Sequence, residues 1–178
     1  MLYRGLSPDQ VRQRLPRLIF ALALLGFAVS LTIRADLGLA PWDVLHQGIS
    51  RRTGVPIGTV GILVGLVVLL AWIPLRERLG IGTVLNVILL GLTIDVTLAV
   101  LPEATSTGVR WAELVAGAFL IGPGIALYLS CELGPGPRDG VMTALVQRGM
   151  SLRVIRTAME VAVLAAGFAL GGTVGVGT

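Results

Sequence analysis

Ala35-Asp-Leu-Gly-Leu-Ala-Pro-Trp-Asp43 is the stretch that decides the fold, because the chain repeats it as Cys131-Glu-Leu-Gly-Pro-Gly-Pro-Arg-Asp139. The two align without a gap. Leu37 pairs with Leu133, Gly38 with Gly134, Pro41 with Pro137 and Asp43 with Asp139, while Asp36 stands opposite Glu132. Upstream, Gly26 pairs with Gly122. Downstream, after a one-residue deletion, Leu79-Gly-Ile-Gly-Thr83 pairs with Val174-Gly-Val-Gly-Thr178. Three collinear blocks in the same order mark a duplicated unit.

What surrounds these blocks is apolar. Of 178 residues 54% are hydrophobic and 13% charged, and the mean hydropathy is +0.88, a profile suited to a bilayer. A run of about 20 apolar residues crosses the hydrocarbon, and five runs meet or approach that length: 18–33, 56–75, 81–101, 111–131 and 152–170. The last carries Arg153, Arg156 and Glu160. The expected class is all-α, a polytopic helical membrane protein with five transmembrane helices of an inferred six. Residues 1–101 form the first unit, with a cytoplasmic segment 1–17, and residues 102–178 the second. Thr178 aligns with Thr83, which opens a long helix, so the second unit is expected to lack its last helix. Arg12, Arg14 and Arg17 ahead of a short apolar stretch and Ala28-Val29-Ser30 also resemble a cleavable signal peptide. Cleavage there would leave the first unit without the span that matches the fourth.

An odd number of spans per unit makes the second copy enter the membrane from the opposite side, giving inverted repeats about an axis in the membrane plane. Arg positions set the orientation. With a cytoplasmic N-terminus, Arg4, Arg12, Arg14, Arg17, Arg76, Arg78, Arg138, Arg148, Arg153 and Arg156 lie inside; Arg34, Arg51, Arg52 and Arg110 lie outside. The expected location is a bacterial inner membrane.

Pro41 and Pro137 suit the first position of a helix, and Asp43 and Asp139 fall in the first turn, where a carboxylate complements the helix dipole. Each should open a half-helix too short to span. In the first, Trp42, Leu45, His46 and Ile49 share one face, with Asp43, Gln47 and Ser50 elsewhere; in the second, Val141, Met142 and Leu145 form the apolar face. These features serve as helix starts alone, or as two N-termini directed at a shared cavity for a polar solute or ion. Trp42 fits an interfacial anchor or a stacking platform.

Asp95 and Glu160 sit within apolar runs, where a carboxylate costs about 2.5–3.5 kcal/mol unless paired, protonated or wet. They are candidate charge carriers. The plainer readings are a position near the outer boundary for Asp95 and an i, i+4 pair with Arg156 for Glu160. The candidate solute or ion set is thus Asp36, Pro41, Trp42, Asp43, His46, Asp95, Glu132, Pro137, Asp139 and Glu160.

Several classes fall away. All 14 basic residues are Arg, so no Lys exists for a Schiff base or a phosphate-binding loop. One His and one Cys exclude zinc cages and bis-His haem, and no nucleophile–base pair suggests an enzyme. No cofactor, metal or nucleic acid is expected. The expected partners are the lipid bilayer, a small polar solute or ion, and a second copy of the chain.

Asp36-Leu-Gly-Leu-Ala-Pro-Trp-Asp-Val-Leu45, with Gly48-Ile-Ser50, Thr53-Gly54 and Gly58, resembles the YczE/YyaS/YitT family of bacterial membrane proteins, particularly its YczE-like branch. The second block and the closing glycines fit the same pattern. The resemblance implies a small multi-span membrane protein with a further hydrophobic segment after those glycines. It implies no particular substrate. A permease for a small polar solute and a non-transporting accessory acting through helix contacts are the two functions expected.

Overall fold

The computed structural model describes residues 7–178, so Arg4 lies outside the described residues. Within them the chain forms helices α1 (Pro8–Ala35), α2 (Pro41–Thr53), α3 (Ile57–Leu70), α4 (Trp72–Leu75), α5 (Ile81–Val100), α6 (Thr107–Ser130), α7 (Pro137–Gln147) and α8 (Leu152–Ala169). No strand occurs among the described residues. Four helical stretches are long and apolar enough to cross a membrane: α1, α3 with α4, α5 and α6. The expected fifth span, α8, is 18 residues of helix but carries three charges, so its composition alone does not mark it as a span.

Local chemistry sets the boundaries. Ser7 and Gln10 form a reciprocal capping box and Pro8 takes the first position, which starts α1 ten residues ahead of the apolar run at Leu18. The segment expected to precede the first span is therefore helical from Pro8. At the other end Asp36 turns left-handed (φ 46°), as does its aligned partner Glu132 (φ 52°). Such a conformation is uncommon for non-glycine residues, and it recurs here at aligned positions. Gly38 (φ 113°) and Gly134 (φ 144°) follow, where a side chain would be strained.

Packing centres on α1, which lies between α5 and α6. Leu18, Ala21 and Leu22 are buried against Tyr128, Cys131 and Leu133, and the Tyr128 hydroxyl donates to Gly134 O at 2.5 Å. Large apolar side chains elsewhere point outward, among them Phe119, Ile73 and Val100 at 74–77% exposed. In water such a surface would drive association; against lipid tails it is the favoured side. The closest helix approaches occur at glycines, among them Gly26, Gly58 and Gly117.

On α2 and α7 glycine lies at such approaches, Gly48 and Gly140, and the buried residues lie off the apolar faces expected from the sequence. Their buried residues are Val44, Gln47 and Gly48, and Gly140 and Ala144, whereas Trp42, His46 and Ile49 are only half-buried. Close backbone approach requires small side chains, and Gln47 is admitted because its Oε1 accepts from Thr173 N–H at 2.6 Å. Trp72 closes over Gly140: a Cβ there would lie 2.6 Å from Trp72 Cε2, and the indole N–H donates to Pro137 O at 2.9 Å. Gly140→Leu should therefore lower the SDS-unfolding midpoint by the equivalent of about 1–3 kcal/mol, with partial recovery in Gly140→Leu/Trp72→Ala. An unchanged midpoint would mean that the ring does not sit on Gly140.

Contacts between the two halves recur at aligned residues. Gly177 N–H donates to Leu37 O at 3.0 Å, and Gly82 N–H donates to Leu133 O at 2.8 Å. α2 packs on α3 and α8, and α7 packs on the same two helices. The half-helices and α3 and α8 thus alternate around a four-membered ring.

Candidate functional site

The ring brings the expected site residues into separate clusters, with each half-helix start bearing its own. On α2, Asp43 Oδ1 lies 3.6 Å from His46 Nδ1, both side chains 16–18% exposed. His46 Nε2 is buried without a hydrogen-bond partner. The imidazole lies against Gly61 of α3, where a Cβ would be 3.6 Å from Nδ1. Asp43 faces Nδ1, so Nε2 is the ring nitrogen left to hydrogen-bond a solute. Pro41 and Trp42 open this helix half-buried, with no side-chain cap on its N-terminus.

On α7, Asp139 lies 3.9 Å from Arg138 Nε. Burial lifts its carboxyl above the ordinary range, with Arg138 and then Arg156 of α8 pulling it back. Asn86 of α5 and Asp139 both approach Gly136, since a Cβ there would lie 3.2 Å from Asp139 Oδ2 and 3.5 Å from Asn86 Oδ1. Glu160 pairs with Arg156 at 3.0 Å one turn along α8, the plainer of its two expected arrangements.

Asp95 is anchored at the start of α3. It accepts from Gly58 N–H at 2.6 Å and from Thr59 N–H and Oγ1–H, each at 2.7 Å. α3 has no cap from its own preceding residue, Pro56, and the carboxylate from α5 supplies one. That is a structural function, and it explains how a charge is accommodated within an apolar helix.

Asp36 and Glu132 hold the two ends of the α1–α6 pair. Arg110 Nε donates to Ala35 O at 2.6 Å and Nη2 to Asp36 O at 2.8 Å, with the Asp36 carboxylate 3.4 Å away. At the other end Arg14 Nη1 donates to Cys131 O at 3.2 Å and to Glu132 Oε2 at 2.7 Å. Ala35 and Cys131 are aligned, and the same 96-residue register carries Arg14 onto Arg110.

A second clamp recurs in the same way. Arg52 donates to Ala169 O and Leu170 O, both at 3.1 Å, while Arg148 donates to Pro74 O and Leu75 O at 3.4 and 3.1 Å. Each neutralises the carbonyl end of the long helix in the opposite half. Reading the sequence for acids and prolines missed these arginines, although the self-alignment already pairs Arg14 with Arg110 and Arg52 with Arg148.

Near Asp36 a cleft of about 490 Å³ is lined by Arg34, Asp36, Leu98, Leu101, Glu103, Ala104 and Arg110. Arg34 is held in it by Glu113 at 2.9 Å and by Pro102 O. Of the ten candidate residues Asp36 alone lines it; Asp43 and Asp139 do not. Among the described residues no group of three or more His, Cys, Asp or Glu is placed to hold a metal.

Residues 12–178 match the model of a family of unknown function, DUF6198. An uncharacterized protein of Haemophilus influenzae is 44% identical over 162 residues, 90% of this chain and 74% of the relative. The uncharacterized membrane protein YczE of Bacillus subtilis is 35% identical over 160 residues, 88% of this chain and 74% of the relative. The uncharacterized protein YyaS of the same organism is 28% identical over 163 residues, 87% of this chain and 80% of the relative. No solved structure matches the chain.

Proposed function

The chain belongs to the DUF6198 family and is a YczE-like multi-pass membrane protein, and from that premise we propose that it is a permease for a small polar solute, built from two inverted units. The observation that carries this reading is the ring in which α2 and α7 alternate with α3 and α8. Two half-helices facing the same pair of long helices from opposite halves provide two equivalent starts for a path through the centre. Support for the inversion comes from the doubled contacts, since an exchange of halves carries Gly177–Leu37 onto Gly82–Leu133 and the Arg110 clamp onto the Arg14 clamp. In this reading α8 completes a fifth span, packing on the ring through Ile155 and Gly167. No bond-making step is assigned to the protein.

The orientation in this reading is that of the arginine distribution. The four arginines assigned outside are each engaged by the fold: Arg34 with Glu113, Arg51 with Asp36, Arg52 with the end of α8 and Arg110 with the end of α1. The outer Arg51-Arg52 cluster thus has a local use, and the excess of arginine on the opposite side supports a cytoplasmic N-terminus.

Asp43 with His46, and Asp139 with Arg156, are assigned to bind the solute or its coupling ion at the two half-helix starts. The test is stopped-flow light scattering of proteoliposomes shifted into glycerol, alanine, glucose or sodium acetate. At least one should enter faster than into protein-free vesicles, and Asp43→Asn or Asp139→Asn should return that rate to the protein-free level with folded yield unchanged. Entry of all four at the protein-free rate would remove the assignment. The accessory reading draws on a different feature, the open face of α6 and α8.

A further inference from the structure

The register that relates the two halves carries four charged residues at one end of the α1–α6 pair onto four positions at the other. At the end near Asp36, Arg110 meets Asp36 at 3.4 Å and Arg34 meets Glu113 at 2.9 Å. Two cations stand against two anions. The 96-residue register takes Arg110 to Arg14, Asp36 to Glu132, Arg34 to Ser130 and Glu113 to Arg17. The first pair is rebuilt, since Arg14 meets Glu132 at 2.7 Å. The second is not. Here α1 carries the cation, Arg17, and α6 offers the short, neutral Ser130, so this end holds two cations against one anion.

Arg17 is exposed, with no hydrogen-bond or ion-pair partner among the described residues. Arg14, one turn earlier on α1, and Arg17 both lie close enough to Cys131, the residue after Ser130, to act on its thiol. The two guanidiniums and Ser130 therefore share one corner of the fold. Arg14 uses only Nη1 in its bonds to Cys131 O and Glu132, which leaves its other N–H groups able to join Arg17 on a single oxyanion. Ser130 is exposed and its hydroxyl donates within its own helix, to Leu127 O at 2.7 Å.

We propose that Arg17, beside Ser130 and assisted by Arg14, binds the phosphate of an anionic phospholipid, which supplies the negative charge that Glu113 supplies at the other end. Position favours lipid over free phosphate. Arg17 immediately precedes the apolar run from Leu18, and Ser130 is the last residue of α6, so both stand at the rim of the hydrocarbon. Phe20, one turn inward from Arg17, and Leu129, beside Ser130, are exposed and offer apolar contact to acyl chains. A zwitterionic headgroup brings its own cation toward Arg14 and Arg17, so an anionic headgroup is preferred. The site lies apart from the half-helix starts and requires no solute path.

The test is fluorescence anisotropy of acyl-labelled phosphatidylglycerol and phosphatidylcholine titrated with the protein in dodecyl maltoside. Phosphatidylglycerol should bind about tenfold more tightly, the equivalent of one charge-assisted contact. Arg17→Gln should abolish that preference without lowering the SDS-unfolding midpoint, and Arg12→Gln, an exposed arginine of the same helix, should leave it intact. Ser130→Glu places a carboxylate of the protein against Arg17 and should abolish the preference as well. Equal affinity for the two lipids would overturn the proposal, as would a preference that Arg12→Gln lowers as much as Arg17→Gln, or one that survives Ser130→Glu. Displacement of the labelled lipid by an equal concentration of inorganic phosphate would assign the site to a soluble anion and overturn the lipid reading.

Discussion

Asp95→Ala is expected to lower the stability of the protein by about 3 kcal/mol, read as a lower midpoint of unfolding in SDS. The substitution leaves the Gly58 and Thr59 N–H groups and the Thr59 hydroxyl without the acceptor they share. Hydrogen bonds to a charged group are worth about 1.5–3 kcal/mol each and are not additive when one carboxylate makes several. The cost is raised further because water is scarce at this depth. Asp95→Asn keeps one carbonyl acceptor and should cost about half as much. Asparagine also distinguishes the two uses of an acid within the membrane. A structural cap predicts reduced stability with residual solute entry, whereas a proton carrier would lose entry at unchanged stability.

Gly82→Leu and Gly177→Leu form the second prediction, and their likeness matters as much as their size. A Cβ on Gly82 would lie 2.7 Å from Leu133 C, and one on Gly177 would lie 3.1 Å from Gly38 C and 3.0 Å from Leu114 Cδ1. Both glycines donate to an aligned leucine carbonyl of the other half, so each bulky substitution pushes apart the same kind of junction. Each should lower the unfolding midpoint by the equivalent of about 2–3 kcal/mol. Gly108→Leu is the control, since nothing lies within 4 Å of a Cβ there. A loss at Gly82 with none at Gly177 would mean that the two junctions are not equivalent.

Much of the frame was legible in the chain. The apolar runs located the long helices, and Pro41 and Pro137 located the starts of α2 and α7 to the residue. Glu160 paired with Arg156 as the i, i+4 spacing allows. Helical spacing grouped the apolar side chains of α2 and α7 on one face each but did not say which residues the helices bury, and these are Val44, Gln47 and Gly48 on α2 and Gly140 and Ala144 on α7. Hydropathy marks the apolar run from Leu18 but does not register the Ser7–Gln10 box that starts the helix at Pro8. The partner of Asp95 lay 36 and 37 residues away, a separation that no local pattern encodes.

The clusters at the half-helix starts were only partly legible. Asp43 and His46 are one turn apart, and their pairing follows from spacing. The approach of Arg156 and Asn86 to Asp139 depends on how α5, α7 and α8 pack. The arginine clamps were overlooked for a different reason: an arginine near a span end ordinarily reads as a topology signal, yet Arg14, Arg52, Arg110 and Arg148 bind backbone carbonyls across the two halves.

The account depends most on the two units lying in opposite directions across the bilayer. Thr53, the last residue of α2, and Met150, beyond the end of α7, are exposed, and either position can carry a single cysteine in a Cys131→Ala background. Labelling intact cells with a membrane-impermeant maleimide, before and after permeabilisation, reports which compartment each thiol faces. Thr53→Cys should label in intact cells, and Met150→Cys only after permeabilisation. Labelling of both from the same side would contradict the inverted arrangement.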